Sequence, residues 1–151
     1  MSAGSIVGPV AIQMSGMSIL AAPFMLQAVL SFTTVAQGPV SAIDEPRQVV
    51  VRTAAEWQRL WRTHSPESPA PSVDFTQGIV VGVFLGARPT DGYSVQITSV
   101  REEDNRHVVE YRERRPDPGA LVGQVLTAPF QLVTLPLPQK LGFVEFKRID
   151  P

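Results

Sequence analysis

Nucleophilic catalysis needs a base within hydrogen-bond reach of the nucleophile, and this 151-residue chain offers only two histidines, His64 and His107. Neither lies in a motif that would set it against a serine, and the Gly-x-Ser-x-Gly turn that exposes a hydrolase serine is absent. His64 reads as a helix C-terminal residue favoured by the dipole, and His107 as the start of a strand. Glu102, Glu103 and Asp104 are consecutive acids, a pattern that marks a turn in water more often than an acid and base held in a pocket. The chain has no cysteine, which excludes disulfides, thiolate metal sites, cysteine nucleophiles and a lipid-bearing cysteine. Phosphate-cradling loops and metal-ligand spacings are missing too. The expectation is a non-catalytic protein that needs no metal and no cofactor.

The chemistry that remains is recognition, and the stretch best suited to it is Arg88, Pro89, Thr90, Asp91, Gly92 and Tyr93. Pro89 fixes its own φ, Gly92 can take φ > 0, and Asp91 can bond nearby backbone amides, so the loop should be shaped rather than slack. Tyr93 offers contact area at low entropic cost and Arg88 a charged fork. A second loop, Arg115, Pro116, Pro118 and Gly119, repeats this chemistry and would add a contact if both loops lie at one end of the fold. The alternative for the first loop is an ordinary rigid connection.

The elements that must hold these loops are mostly strands. Residues 78–85 form a nearly continuous apolar run, the pattern of a strand buried on both faces, and residues 93–98 alternate apolar with polar. The two read as neighbouring antiparallel strands. Val49–Val51, residues 107–114 with Val109 and Tyr111 on one face, 130–135, and 142–149 with Val144 and Phe146 on one face add further strands. Residues 101–106 read as a solvated charged turn, and Arg112, Glu113, Arg114 and Arg115 as an exposed edge. One helix is expected over 53–64: Thr53 and Glu56 can form a capping box, Trp57, Leu60 and Trp61 fall on one face, and Ser65-Pro66 stops it. Trp57, Leu60, Trp61 and Phe75 are assigned to the core, although the tryptophans also have the makings of an exposed platform for a small ligand. Residues 65–72 form a proline-rich surface loop, and Asp74 should turn away from Val73 and Phe75 to bond the local backbone. With 14 prolines and one composition zone, this adds up to a mainly-β domain. About seven short strands would make an antiparallel sandwich or open barrel with one packed helix.

Residues 1–43 carry no ionisable side chain, and Ile19–Leu30 has the length and apolarity of a signal-peptide core, interrupted by Pro23 and Gln27. The basic start that normally precedes such a core is missing, because the first basic residue is Arg47, and Met14 and Met17 are alternative starts. Residues 1–30 are therefore expected to be a signal or an anchor ahead of a domain at 31–151. This makes the protein exported or envelope-associated, or else cytoplasmic. The net charge of −1 and the lack of a basic patch interleaved with aromatics argue against nucleic acid.

Together, several landmarks resemble the family named for the C-terminal domain of PrcB, a subunit of a bacterial protease complex. They are residues 56–61, Val73-Asp74-Phe75, the loop Gly86-x-Arg88-Pro89-Thr90-x-Gly92-Tyr93-Ser94-Val95, and Arg115-Pro116-x-Pro118-Gly119 followed by Gln124-Val125-Leu126-Thr127-x-Pro129-Phe130. The resemblance covers Phe32 to Phe146, and Asp91 stands where the family usually has the first of two glycines. It implies a protein that associates with and stabilises or regulates a secreted protease. It also implies that Phe32–Gly38 is the first strand of the domain, so a signal would be cut nearer Ala22 to Ala28 than after Ala36. The Pro89–Tyr93 loop alone is similar to the Asn-Pro-Thr-Thr-Gly-Tyr loop of chagasin-type protease inhibitors, with Arg88 in place of the asparagine. A further reading is an envelope-associated structural module without a protease partner, its membrane contact confined to the N-terminal segment.

Overall fold

The computed structural model describes residues 27–137 and 142–150. The apolar segment proper, residues 1–26, lies outside these. Among the described residues, eight strands and one helix follow in the order β1 (Gln27–Leu30), β2 (Thr33–Gly38), β3 (Arg47–Val51), α1 (Ala54–His64), β4 (Gly78–Phe84), β5 (Ser94–Glu103), β6 (Arg106–Arg114), β7 (Phe130–Pro136) and β8 (Phe143–Arg148). They make two four-stranded sheets. Sheet I runs β1-β5-β6-β8 and sheet II runs β2-β7-β4-β3. The sandwich expected from the sequence is what forms, with one strand more than counted and one exception to its antiparallel order: β6 and β8 pair in parallel.

Three layers explain the apolar patterns. Ile79, Val81, Val83, Val133 and Leu135 of sheet II face Val95, Ile97, Val100, Val109 and Tyr111 of sheet I, and this interior is the first core. On the other face of sheet II, Val80, Phe84, Phe130 and Leu132 meet Trp57 and Trp61 of α1, the second core. Sheet II is thus covered on both sides, and β4 in its middle is buried at every position. That is the physical meaning of the run at 78–85, since each such valine removed from water contributes about 1.5–3 kcal/mol.

Helix α1 begins as expected: Thr53 accepts from the Glu56 amide while the Glu56 carboxylate takes the Arg52 and Thr53 amides. Trp57 and Trp61 are buried, and their indole N–H groups donate to the carbonyls of Pro71 and Ser68, pinning the proline-rich loop over the helix. This burial overturns the reading of the tryptophans as an exposed ligand platform. Leu60 and Phe75 pack half-buried on the same core, and Asp74 accepts from the Thr76 amide and hydroxyl as expected. His64 is not a dipole-stabilised cation. It is buried, its Nδ1 lies 2.7 Å from Ser41 Oγ, and its ring stands edge-on to Phe130 at 4.2 Å, where burial pushes its pKa down.

Three further expectations are corrected. β4 and β5 are not hairpin partners: β4 lies between β3 and β7, β5 between β1 and β6, and residues 85–93 cross from sheet II to sheet I. Residues 101–106 are not all turn, because β5 and β6 continue to a tight turn at Asp104-Asn105, with Arg101 paired to Glu103 and Glu110, and Arg106 to Glu103 and Glu145. β8 flanks β6 only as far as Tyr111, so Arg112 to Arg114 pair with β5 alone and do lie on an edge, but Glu113 is not exposed there: it turns inward and is buried. β1 begins inside the segment assigned to a leader, so cleavage after Ala28 would split it, and cleavage after Ala36 would remove most of β2 as well.

Candidate partner-binding loops

The crossing loop 85–93 and the long connection 115–129 meet at one end of the sandwich, so the condition for a joint surface is satisfied. Arg88 and Thr127 exchange backbone hydrogen bonds of 2.7 and 3.0 Å as an isolated β-bridge. The Thr127 hydroxyl donates to the Thr90 carbonyl, the Asp91 amide to the Gly123 carbonyl, and the Gly123 amide returns a 2.7 Å bond to Asp91 Oδ1. Residues 39–46 join them, with Ala128 donating to Pro39 and Ala87 to Asp44.

Glycines make the close approach possible. Gly92 has φ +89°, and a Cβ there would sit 2.9 Å from Pro116 Cγ, which ties the first loop to the start of the second. Gly86 at φ +85° lies equally close to Pro46. Asp91 has negative φ, so this chain does not need the family's glycine for backbone shape, and its carboxylate instead takes the Gly123 amide. Gly119 also has positive φ, at an open apex.

Arg88 is not the free fork expected of it. Its Nε lies 2.6 Å from Glu113 Oε2 and its Nη2 3.2 Å from Oε1, while Nη1 donates to the carbonyls of Leu85 and Ala87. The Glu113 side chain is only 2% exposed and also receives Arg148 Nη2 at 2.6 Å. Burial alone would raise the Glu113 pKa, but the two guanidiniums outweigh it and hold the carboxyl below its ordinary value. Arg88, Glu113 and Arg148 therefore clamp the crossing loop to β6 and β8, and the guanidinium's role is architectural.

The exposed side chains at this end are different ones. Leu121, Val125 and Leu126 project from the second loop into solvent, and Val40 does so from the adjoining segment. Pro89 and Gly92 are exposed, Thr90, Asp91 and Tyr93 are half-buried, and of the second loop Arg115, Pro118 and Gly119 are exposed and Pro116 half-buried. Nothing in the composition of residues 120–126 separated surface leucine from core leucine; the only hint was that prolines and glycines bracket the run on both sides. Among the described residues, no group of three or more His, Asp or Glu is placed to hold a metal.

Fold and loops together define a helix-backed β-sandwich with a stiffened loop end. Residues 79–136 of it match the model of the family PrcB C-terminal, a span that contains β4 to β7 and both loops, so the resemblance read from the sequence holds there. The helix motif and Val73–Phe75 lie outside the matched residues. No curated protein and no solved structure matches the chain.

Proposed function

We propose that this chain is a non-catalytic protein-binding domain that associates with a protease and stabilises or regulates it, docking through the end formed by loops 85–93 and 115–129. The observation that carries the reading is the set of solvent-facing Leu121, Val125 and Leu126 on a loop whose backbone is tied down by its neighbour. Apolar side chains held out on a pre-ordered loop lower the entropy cost of docking and supply area for an interface core. The family match over both loops supports a protease-complex association. Insertion of the Pro89–Tyr93 loop as an inhibitor has less support, because Thr90 and Asp91 are engaged by the second loop.

The test is capture from the native host with the full chain beside a Leu121→Ser/Leu126→Ser variant, both shown folded, with bound proteins identified by mass spectrometry. A protease retained by the first and lost by the second supports the reading, and its activity and lifetime with and without the chain then separate inhibition from stabilisation. Identical eluates without a protease sink it. Export is part of the proposal, and a cleaved form in the medium is the result expected on fractionation. An uncleaved, membrane-bound form with no protease partner would favour the envelope module, a reading that the apolar residues 1–26 keep in view.

A further inference from the structure

Beside the apolar loop lies a cleft with three arginines, Arg112, Arg114 and Arg115, that take no part in the clamp. Along the end of β6, Tyr111 and Glu113 turn inward and are buried, while Arg112 and Arg114 face solvent. Arg115 follows with a 71% exposed side chain, and Pro116 and Pro118 turn the chain back to leave a cleft of about 720 Å³. The residues opposite on β5 are Gln96 beside Arg112 and Ser94 beside Arg114, neither of them acidic. Among the described residues, no carboxylate lies within ion-pair distance of Arg112 or Arg114, and the nearest to Arg115 is Glu113 at 3.9 Å. Of the acids lining the cleft, Glu113 and Asp150 are both held by Arg148 at 2.6 Å, which leaves Asp117 as the remaining carboxylate. Three guanidiniums on four consecutive residues repel one another, and an anion seated among them relieves that repulsion.

Geometry narrows the kind of anion. Arg112 and Arg114 are two apart on one face of a strand, so their stems are spaced by roughly 7 Å, the same repeat at which an extended peptide presents alternate side chains. Guanidinium forks match carboxylates bidentately. The lining includes no aromatic ring on which bases would stack, and Pro116 and Pro118 offer apolar surface suited to a peptide's stems. We propose that the cleft receives an extended acidic segment of a partner protein, with carboxylates at alternate positions engaging Arg112 and Arg114 and Arg115 closing on the end. The proposal rests on the protein-binding reading and adds the chemical character of the partner.

The probe is a fluorescein-labelled peptide of alternating threonine and glutamate, titrated with the full chain and read by anisotropy. Controls are the glutamine version of the peptide, hexathymidylate and inorganic phosphate. The glutamate peptide is expected to bind, to lose at least tenfold in affinity to the exposed-site variant R112Q/R114Q, and to bind L121S/L126S unchanged, all variants melting like the parent. Equal binding by R112Q/R114Q, or by the glutamine peptide, overturns the proposal. So does tighter binding of hexathymidylate, which would mean a nucleic-acid site, or displacement by phosphate with no preference for the alternating peptide, which would mean a simple anion site. The two readings fail separately. A captured protease indifferent to R112Q/R114Q removes the acidic-segment proposal alone, and peptide binding without any captured protease removes the protease reading alone.

Discussion

At the scale of single residues, the decisive side chain is Glu113, a carboxylate shielded from solvent and shared by Arg88 and Arg148. Because its folded pKa lies below its ordinary value of 4.5, its contribution is present above that value and is lost as pH falls through the folded pKa. Glu113→Gln should therefore cost about 2 kcal/mol near neutral pH, a magnitude typical of hydrogen bonds to charged groups, and the gap to the parent should close in acid. Urea denaturation at both pH values checks this, and a constant gap would assign the loss to packing instead. His64 runs the same way for a different reason. Burial lowers its pKa from 6.5, so the stability of its neutral form is present above that value and is lost as pH falls. Its ring resonances should hold their neutral positions to lower pH than an exposed histidine does; a midpoint at or above the ordinary value would contradict the buried placement.

At the scale of elements, the helix and the loops depend on different kinds of contact. The cap of α1 is local, and Thr53→Ala should cost about 1 kcal/mol in thermal or chemical unfolding, with no effect on the distant loops. The loop pair depends on close approach. Gly92→Ala places a Cβ 2.9 Å from Pro116 Cγ at a φ of +89°, and strain of this kind costs on the order of 1–3 kcal/mol. Hydrogen exchange of the Gly123 amide should accelerate in this variant, because that amide is held by Asp91 in the same loop. Unchanged exchange would mean that the stitch survives without the glycine. Three glutamines extend the principle to the sheets. Gln37 donates to the Val95 carbonyl, Gln48 to the Tyr111 hydroxyl, and Gln131 accepts from the Ile97 amide beside the β5 bulge while donating to Thr34. Of the three, Gln131 is buried with both ends of its amide satisfied, and it fixes the register of one sheet on the other, while Gln37 and Gln48 add a single bond each from more exposed positions.

At the scale of the whole molecule, among the described residues β1 is an outer strand of sheet I, hydrogen-bonded to β5 alone. The contribution of β1 is tested with two chains, one beginning at Gln27 and one at Ser31. A chain beginning at Ser31 loses the β1–β5 pairing and the Leu30 contact with the core, and should melt lower, by about 4 °C for each 1 kcal/mol lost. Equal melting of the two would make β1 dispensable. What the sequence determined by itself was whatever acts over a few residues: the capping box of α1, the tryptophan face, the alternation in β5 and β8, the positive φ of Gly92, and hence, among the described residues, a mainly-β domain with one helix. Which sheet each strand joins, the inward turn of Glu113, the capture of Arg88 and the exposure of Leu121 and Leu126 were decided only by the tertiary structure. The Arg88–Glu113 pair spans 25 residues and the Gln48–Tyr111 bond 63. Periodicity and turn chemistry specify which face of a strand is apolar, but not which distant strand will cover it, and a charged residue's partner exists only once the chain has crossed from one sheet to the other.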